Sequence, residues 1–211
     1  MKVGILGSSD VAKSLARGFL KEGHQVMLGS REPAKLAAWV NENGKNASSG
    51  TLIETAKFGE LMVLAVQGTK SVEAIQMAQP DNFKCKVVID TTNSLDMSGG
   101  LPKLVGALGT SSGELNQKAL PGAFVVKAFN TVGNAHFHKP QFAGGPPDMF
   151  LCGDDAKAKE QVSRICKDFG WNPIDVGGIG LSHYLEATAM VWIITAITGG
   201  HWNQAFKLLR K

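Results

Sequence analysis

Gly7 stands directly after a hydrophobic run, Val3 to Leu6, and directly before a stretch of helical character from about Val11 to Leu20. The run lacks polar alternation, as expected of a strand buried on both faces. A glycine lets the chain turn sharply after such a strand. The helix that follows offers unpaired N–H groups and the positive end of its dipole, and a pyrophosphate satisfies both. Ala12 stands where the third small residue of a G-x-G-x-x-G/A turn is found, which lets helix and strand pack closely. Ser9 occupies the place of the second glycine, and its hydroxyl can donate to a phosphate instead. This context of strand, turn and helix points to dinucleotide binding.

The next apolar segment, His24 to Leu28, ends in Gly29-Ser30-Arg31. In an NAD site a carboxylate about 20 residues past the glycines holds the ribose 2′-hydroxyl. Gly29 takes that place, and no carboxylate is expected there to repel a 2′-phosphate. Arg31 can pair with a phosphate in fork geometry, Ser30 can donate to it, and Lys35 adds a point charge four residues on. The cofactor expected is therefore NADP(H). No nucleophile–base pair, Ser/His/Asp arrangement or paired-carboxylate signature accompanies the site. Hydride transfer needs none of these, only two rings held in place.

The elements that must position these residues alternate between strand and helix. Further strands are expected at Ser48–Leu52, Leu61–Val66, Lys86–Asp90 and Ala123–Phe129, with a Gly/Ser-rich loop from Ser94 to Ser112 and a helix from Ser112 to Leu120. This alternation implies an α/β fold, a Rossmann-type doubly wound parallel sheet. Ligands bind such sheets outside the carboxyl ends of the strands, so Val66, Gln67, Asn93 and Asn130 are expected to border the nicotinamide. From about Asn134 the texture changes. A strand at Asp148–Cys152, a helix at Lys157–Phe169, a strand at Asn172–Val176, a flexible turn at Gly177–Gly180, an apolar helix at Leu181–Thr198 and a short amphipathic helix at Asn203–Leu209 follow. The expected division is an NADP-binding domain over 1–134 and a smaller C-terminal α/β lobe over 135–211 packed on it.

The 211 residues carry 22 Lys and Arg against 18 Asp and Glu, a formal charge of +4. That mild basicity suits an anionic cofactor, and without Lys/Arg runs nucleic acid is not an expected partner. Cys85, Cys152 and Cys166 lack CxxC spacing and read as buried or incidental thiols of a reducing compartment. The chain opens on its first strand and its longest apolar stretch, Ala187 to Thr198, is shorter than the roughly 20 residues a membrane span needs. A cytoplasmic protein without membrane contact is expected. His136 and His138 read as surface-loop residues rather than metal ligands. His183, Tyr184 and Glu186 read as capping and decorating the apolar helix, and Met190 and Trp192 as core.

The opening turn, Gly29-Ser30-Arg31 with Lys35, Val126-Lys127-Ala128-Phe129-Asn130-Thr131, Cys152-Gly153-Asp154-Asp155 and Leu185-Glu186 resemble the NADP oxidoreductases of the 8-hydroxy-5-deazaflavin coenzyme. The reductase domain of the six-transmembrane metalloreductases shares the same features. The resemblance covers essentially the whole chain. It implies pyrophosphate binding by Gly7, Ser8, Ser9, Asp10 and Val11, and 2′-phosphate binding by Ser30, Arg31 and Lys35. It implies that Ala128 to Ala135, including Asn130, faces the nicotinamide and the electron acceptor. Asn130 stands where the deazaflavin enzymes look to carry histidine, whereas the metalloreductases resemble this chain in Ala-Phe-Asn-Thr. A homodimer joined through the late helices is also implied. The expected function is hydride transfer between NADP(H) and a small-molecule electron acceptor that is flavin-like, an 8-hydroxy-5-deazaflavin, or another small compound. The alternative is a non-catalytic NADP(H)-binding redox sensor or scaffold.

Overall fold

The computed structural model describes residues 1–105 and 110–211. Its strands in chain order are β1 (Lys2–Leu6), β2 (Gln25–Gly29), β3 (Ala47–Gly50), β4 (Leu61–Leu64), β5 (Val87–Asp90), the short β6 (Leu95–Asp96) and β7 (Lys103–Leu104), β8 (Phe124–Lys127), β9 (Asp148–Gly153) and β10 (Asn172–Asp175). The helices are α1 (Asp10–Lys21), α2 (Ala37–Asn43), α3 (Leu52–Phe58), α4 (Ser71–Met77), α5 (Ser112–Ala119), α6 (Ala156–Asp168) and α7 (Ser182–Gly199). The main sheet has the order β10-β9-β8-β5-β4-β1-β2-β3. From β3 to β8 all neighbours are parallel. The fold is a Rossmann-type α/β sheet wound on both faces.

Alternating side chains of the central strands feed two cores. Val63 and Ile89 join Ala12, Leu15 and Phe19 of α1, Trp39 of α2 and Val162 of α6 on one face. Met62, Leu64 and Val88 join Ala56 of α3, Ile75 of α4 and Leu185 of α7 on the other. This two-sided burial explains why the parallel strands read as continuous apolar runs. Two helix starts carry capping boxes: Thr51 with Glu54 opens α3, and Ser111 with Glu114 opens α5.

Several expectations are corrected. The parallel sheet expected up to β8 is present, but the later strands extend it: β9 pairs antiparallel with β8 and β10 then follows β9 in parallel. A parallel return requires a long crossover, usually a helix. Between β8 and β9 the chain supplies only one 3₁₀ turn, Asn134–His136. Within the glycine-rich loop, β6 and β7 form an antiparallel ribbon, and residues 106–109 of that loop lie outside the described residues. The short helix expected at Asn203–Leu209 does not form. Gly200, at φ +72°, ends α7. The segment beyond spends its backbone elsewhere: Asp148 N–H donates to the Phe206 carbonyl at 2.9 Å, Leu208 N–H to the Asp148 carboxylate at 2.5 Å, and Trp192 Nε1 to the Gln204 carbonyl at 2.9 Å. The Gly177–Gly180 turn is pinned, with Ile179 N–H donating to Asp154 at 2.8 Å.

Glu186 is also corrected. It does not decorate the surface of α7 but is buried with Asp90 and Lys127. Lys127 Nζ lies 2.9 Å from Asp90 and 3.0 Å from Glu186, and donates to the Thr92 carbonyl at 2.6 Å. Glu186 in turn accepts from Gly113 N–H at 3.2 Å. Burial alone would lower the Lys127 pKa, but the two carboxylates outweigh it and hold it above the usual lysine value. Hydroxyl pairs Ser94–Ser112 and Ser111–Ser182 flank this cluster. The polar groups thus fasten β5, β8, α5 and α7 together beneath one end of the sheet.

The rest of α7 is apolar on all sides. Trp192 is buried, while Val191, Ile194 and Ile197 are 54%, 37% and 41% exposed. Cys152 and Cys166 are buried and Cys85 is exposed; all three are free thiols. No helix among the described residues is long and apolar enough to cross a membrane.

Removing the Lys127 ammonium leaves two buried carboxylates facing one another. Lys127→Met is expected to cost about 3–5 kcal/mol of folding stability. Chemical denaturation measures this, and an unchanged transition midpoint would show that the cluster is not structurally required.

Candidate functional site

A cavity of about 720 Å³ opens along the carboxyl ends of the parallel strands. Its walls come from the residues at the exits of β1 (Gly7, Ser8, Ser9), β2 (Gly29, Ser30, Arg31), β4 (Ala65, Val66, Gln67) and β5 (Thr91, Thr92, Asn93). The strand order reverses between β1 and β4, which is where open α/β sheets leave a crevice.

The turn after β1 is as close as a backbone can be. Gly7 has φ +143°, and a Cβ there would fall on the Ala65 carbonyl and 3.2 Å from the Ala12 Cβ. Only glycine adopts this conformation without strain. Gly7 N–H is spent on the Gly29 carbonyl at 3.0 Å, which holds the β1 and β2 exits together. Ser9 is the N-cap residue of α1, yet its side chain makes no capping hydrogen bond. The first N–H groups of α1 and the Ser9 hydroxyl therefore face the same opening with capacity to donate, which fits a phosphate group.

At the β2 exit, Arg31 is exposed and makes no ion pair among the described residues. Ser30 Oγ accepts from Glu32 N–H at 3.1 Å. Lys35 pairs with Glu32 at 2.8 Å, and both line the cavity. The expectation of a mouth free of carboxylates is thus corrected, because Glu32 lines it beside Arg31. The hydrogen bond from Lys35, with the charges of Lys35 and Arg31, holds the Glu32 carboxyl below its ordinary pKa. The local balance of Arg31, Lys35 and Glu32 remains cationic.

The β5 and β8 exits are tied to each other. Asn93 Nδ2 donates to the Asn130 carbonyl at 2.9 Å, and Asn130 Nδ2 donates to Asn93 Oδ1 at 3.0 Å. Gly68 approaches the Asn93 backbone so closely that a Cβ would overlap it, which sets Gln67 beside the same loop. Between Ala128 and Asn130 the chain turns through Phe129 at φ +60°, a left-handed conformation that bulky residues rarely adopt. An aromatic cluster holds it: Phe129 meets Phe169 at 5.7 Å and Phe137 at 6.0 Å between ring centroids, and Phe169 meets Phe19 at 4.9 Å.

Of the residues singled out from the sequence, Gly7, Ser8, Ser9, Val11, Ser30, Arg31, Lys35, Val66, Gln67 and Asn93 line the one cavity. Asp10, Ala128 and Asn130 are not among its lining residues; Asn130 stands behind Asn93. Lys70, Glu73, Ala74 and Met77 at α4, with Leu52 and Leu95, complete the wall and lie outside the residues singled out from the sequence. The signal for α4 was weak, since it spans only two turns. His136 lies 3.1 Å from Asn203, and His138 lies 2.7 Å from Glu22. Among the described residues no group of His, Cys, Asp and Glu could hold a metal ion.

Four similarities bear on this geometry. The family model described as NADP oxidoreductase, coenzyme F420-dependent, matches residues 2–94. Rat metalloreductase STEAP3 is 30% identical over 196 residues, which cover 88% of this chain and 36% of the rat protein. The chain therefore spans about a third of the length of that relative. A crystal structure from Arthrobacter sp. FB24, described as a candidate F420-dependent NADP reductase, superposes with a TM-score of 0.94 at 33% identity and covers 100% of both chains. An imine reductase from Streptomyces aurantiacus, at 15% identity, shares the fold with a TM-score of 0.69 over 94% of this chain and 64% of its own. With a full-length likeness at 33% identity, and a matching model over residues 2–94, the chain belongs to the F420-dependent NADP oxidoreductase family.

Proposed function

We propose that this protein is an NADPH-dependent oxidoreductase that passes a hydride between NADP(H) and a flavin-like, deazaflavin or other small acceptor. The observation that carries the reading is one cavity with two anion-facing parts: the Gly7 turn under the start of α1, and the cationic group at the β2 exit. In this reading residues 1–134 supply the cofactor cradle and residues 135–211 form the smaller lobe packed on it.

Gly7 to Val11 bind the pyrophosphate through backbone N–H groups and the Ser9 hydroxyl. Arg31 and Ser30 hold the 2′-phosphate, and Lys35 joins them by exchanging Glu32 for phosphate. Val66, Gln67 and Asn93 border the nicotinamide end, while Asn130 holds Asn93 from behind and Ala128 belongs to the same buried β8 exit. When bound, NADPH supplies the hydride itself. The chain's part is to fix the ring's position with amides that are already paired to one another, at little cost in ordering. The Asn93–Asn130 pair supports this role because it is formed by the protein alone.

The dimer implied by the resemblance is assigned to α7. Its exposed Val191, Ile194 and Ile197 support this, as does an adjoining apolar groove of about 340 Å³ that includes Tyr184, Leu185 and Phe206.

Three outcomes are expected. Arg31→Ala should weaken NADPH binding about tenfold or more while leaving NADH binding little changed, read by fluorescence titration; equal losses for both would remove the phosphate role. Stopped-flow absorbance at the nicotinamide band, with FMN, FAD, riboflavin and an 8-hydroxy-5-deazaflavin in turn, should show fast NADPH consumption with one of them. Cofactor binding with no turnover in the whole screen would favour the sensor instead. Ile194→Glu should shift a dimer toward monomer in sedimentation velocity, and a dimer that survives it lies on another face.

A further inference from the structure

The Asp90–Lys127–Glu186 cluster sets two carboxylates against one ammonium, all shut away from solvent. It does not line the cavity, but it is fastened to the wall that does. Asp90 Oδ1 accepts from Thr92 N–H at 2.9 Å and from Thr92 Oγ1 at 2.7 Å, and Lys127 donates to the Thr92 carbonyl at 2.6 Å. Thr91, Thr92 and Asn93 are cavity-lining residues. The cluster therefore sits one layer of side chains behind the end of the cavity assigned above to the nicotinamide.

The contacts of both carboxylates are with donors: Thr92 and Lys127 for Asp90, Gly113 N–H and Lys127 for Glu186. The neighbouring Cys152 thiol adds no charge, since burial pushes its pKa up to about 12. The Ser94–Ser112 and Ser111–Ser182 pairs are neutral. One carboxylate charge is thus left over, in surroundings that screen it poorly.

The two forms of the cofactor differ in charge at the ring. Loss of a hydride, two electrons and one proton taken up by the acceptor, turns a neutral dihydronicotinamide into a cation. We propose that the surplus carboxylate charge of Asp90, Lys127 and Glu186 favours the oxidised nicotinamide over the reduced one, and so makes bound NADPH a stronger hydride donor. The proposal rests on the cofactor reading above. Lys127 then has two roles, because its single charge makes the cluster tolerable to bury and also leaves the balance short by one.

Glu186→Gln tests this. The amide oxygen of glutamine can still accept from Gly113 N–H and Lys127, while the surplus charge is gone. Dissociation constants of NADP⁺ and NADPH are measured by isothermal titration calorimetry on the full chain, with thermal unfolding followed in parallel. For one charge acting across a layer of side chains at an effective dielectric of about 20, the ratio of the NADP⁺ to the NADPH constant should rise about tenfold in the variant. A folded variant with an unchanged ratio overturns the proposal, and so does an equal loss for both forms, which is what a purely structural role predicts. If Glu186→Gln does not fold, Asp90→Asn removes the same charge from β5 and must move the ratio in the same direction. A wild-type chain that binds neither form would instead overturn the cofactor reading, a result separate from either of these.

Discussion

A parallel strand reaches its neighbour only through a crossover, and successive crossovers set the direction in which a sheet grows. Here the chain grows from β1 through β2 to β3, then returns to the other side of β1 and continues through β4 and β5 to β8. The two halves leave β1 in opposite directions, so no connection covers the space above its carboxyl end. The rest of the site depends on that gap. Gly7 lets the β1 exit pass beneath the Ala65 carbonyl, α1 points its first turn at the opening, and each strand end adds residues to one wall or the other.

The wall on the β5 and β8 side is built differently from the wall on the β2 side. The β2 exit is exposed, charged and held by solvent-facing contacts such as Lys35–Glu32, which contribute little to stability. The β5 and β8 exits stand on a buried ionic cluster and a reciprocal amide pair. Burying three charges is costly, and the hydrogen bonds to Thr92 and Gly113 offset part of that cost. One end of the cavity can thus adjust to its contents while the other is fixed before anything enters.

Much of this was legible in the sequence. Parallel strands buried on both faces announce themselves as apolar runs, and Gly7 and Gly29-Ser30-Arg31 lie at the strand ends where the fold puts ligands. What was not legible depends on partners distant in the chain. Lys127 reads as the polar end of an apolar strand, and Glu186 as one charge on an otherwise apolar helix; only folding brings them to Asp90. The amphipathic spacing of Asn203–Leu209 suggests a helix, but Asp148 and Trp192 recruit its backbone groups first. Strand direction at β9 leaves no mark in composition, and follows from the want of a crossover helix before it. The capping boxes at Thr51 and Ser111 are local signals that do mark helix starts, and they account for α3, which hydrophobic periodicity alone does not reveal.

Phe129 carries a consequence for how such a chain can vary over time. Its left-handed backbone costs on the order of 1–3 kcal/mol, and glycine or asparagine would relieve it. The ring is kept there by Phe137, Phe169 and, through Phe169, by Phe19 of α1. A substitution at Phe169 therefore loosens the restraint on the β8 exit without touching the cavity, and a smaller residue at Phe129 leaves a void among the other rings. A change at any one of these rings therefore unsettles the packing of the others. The shape of the β8 exit is thus kept in part by hidden aromatics that the cavity never touches.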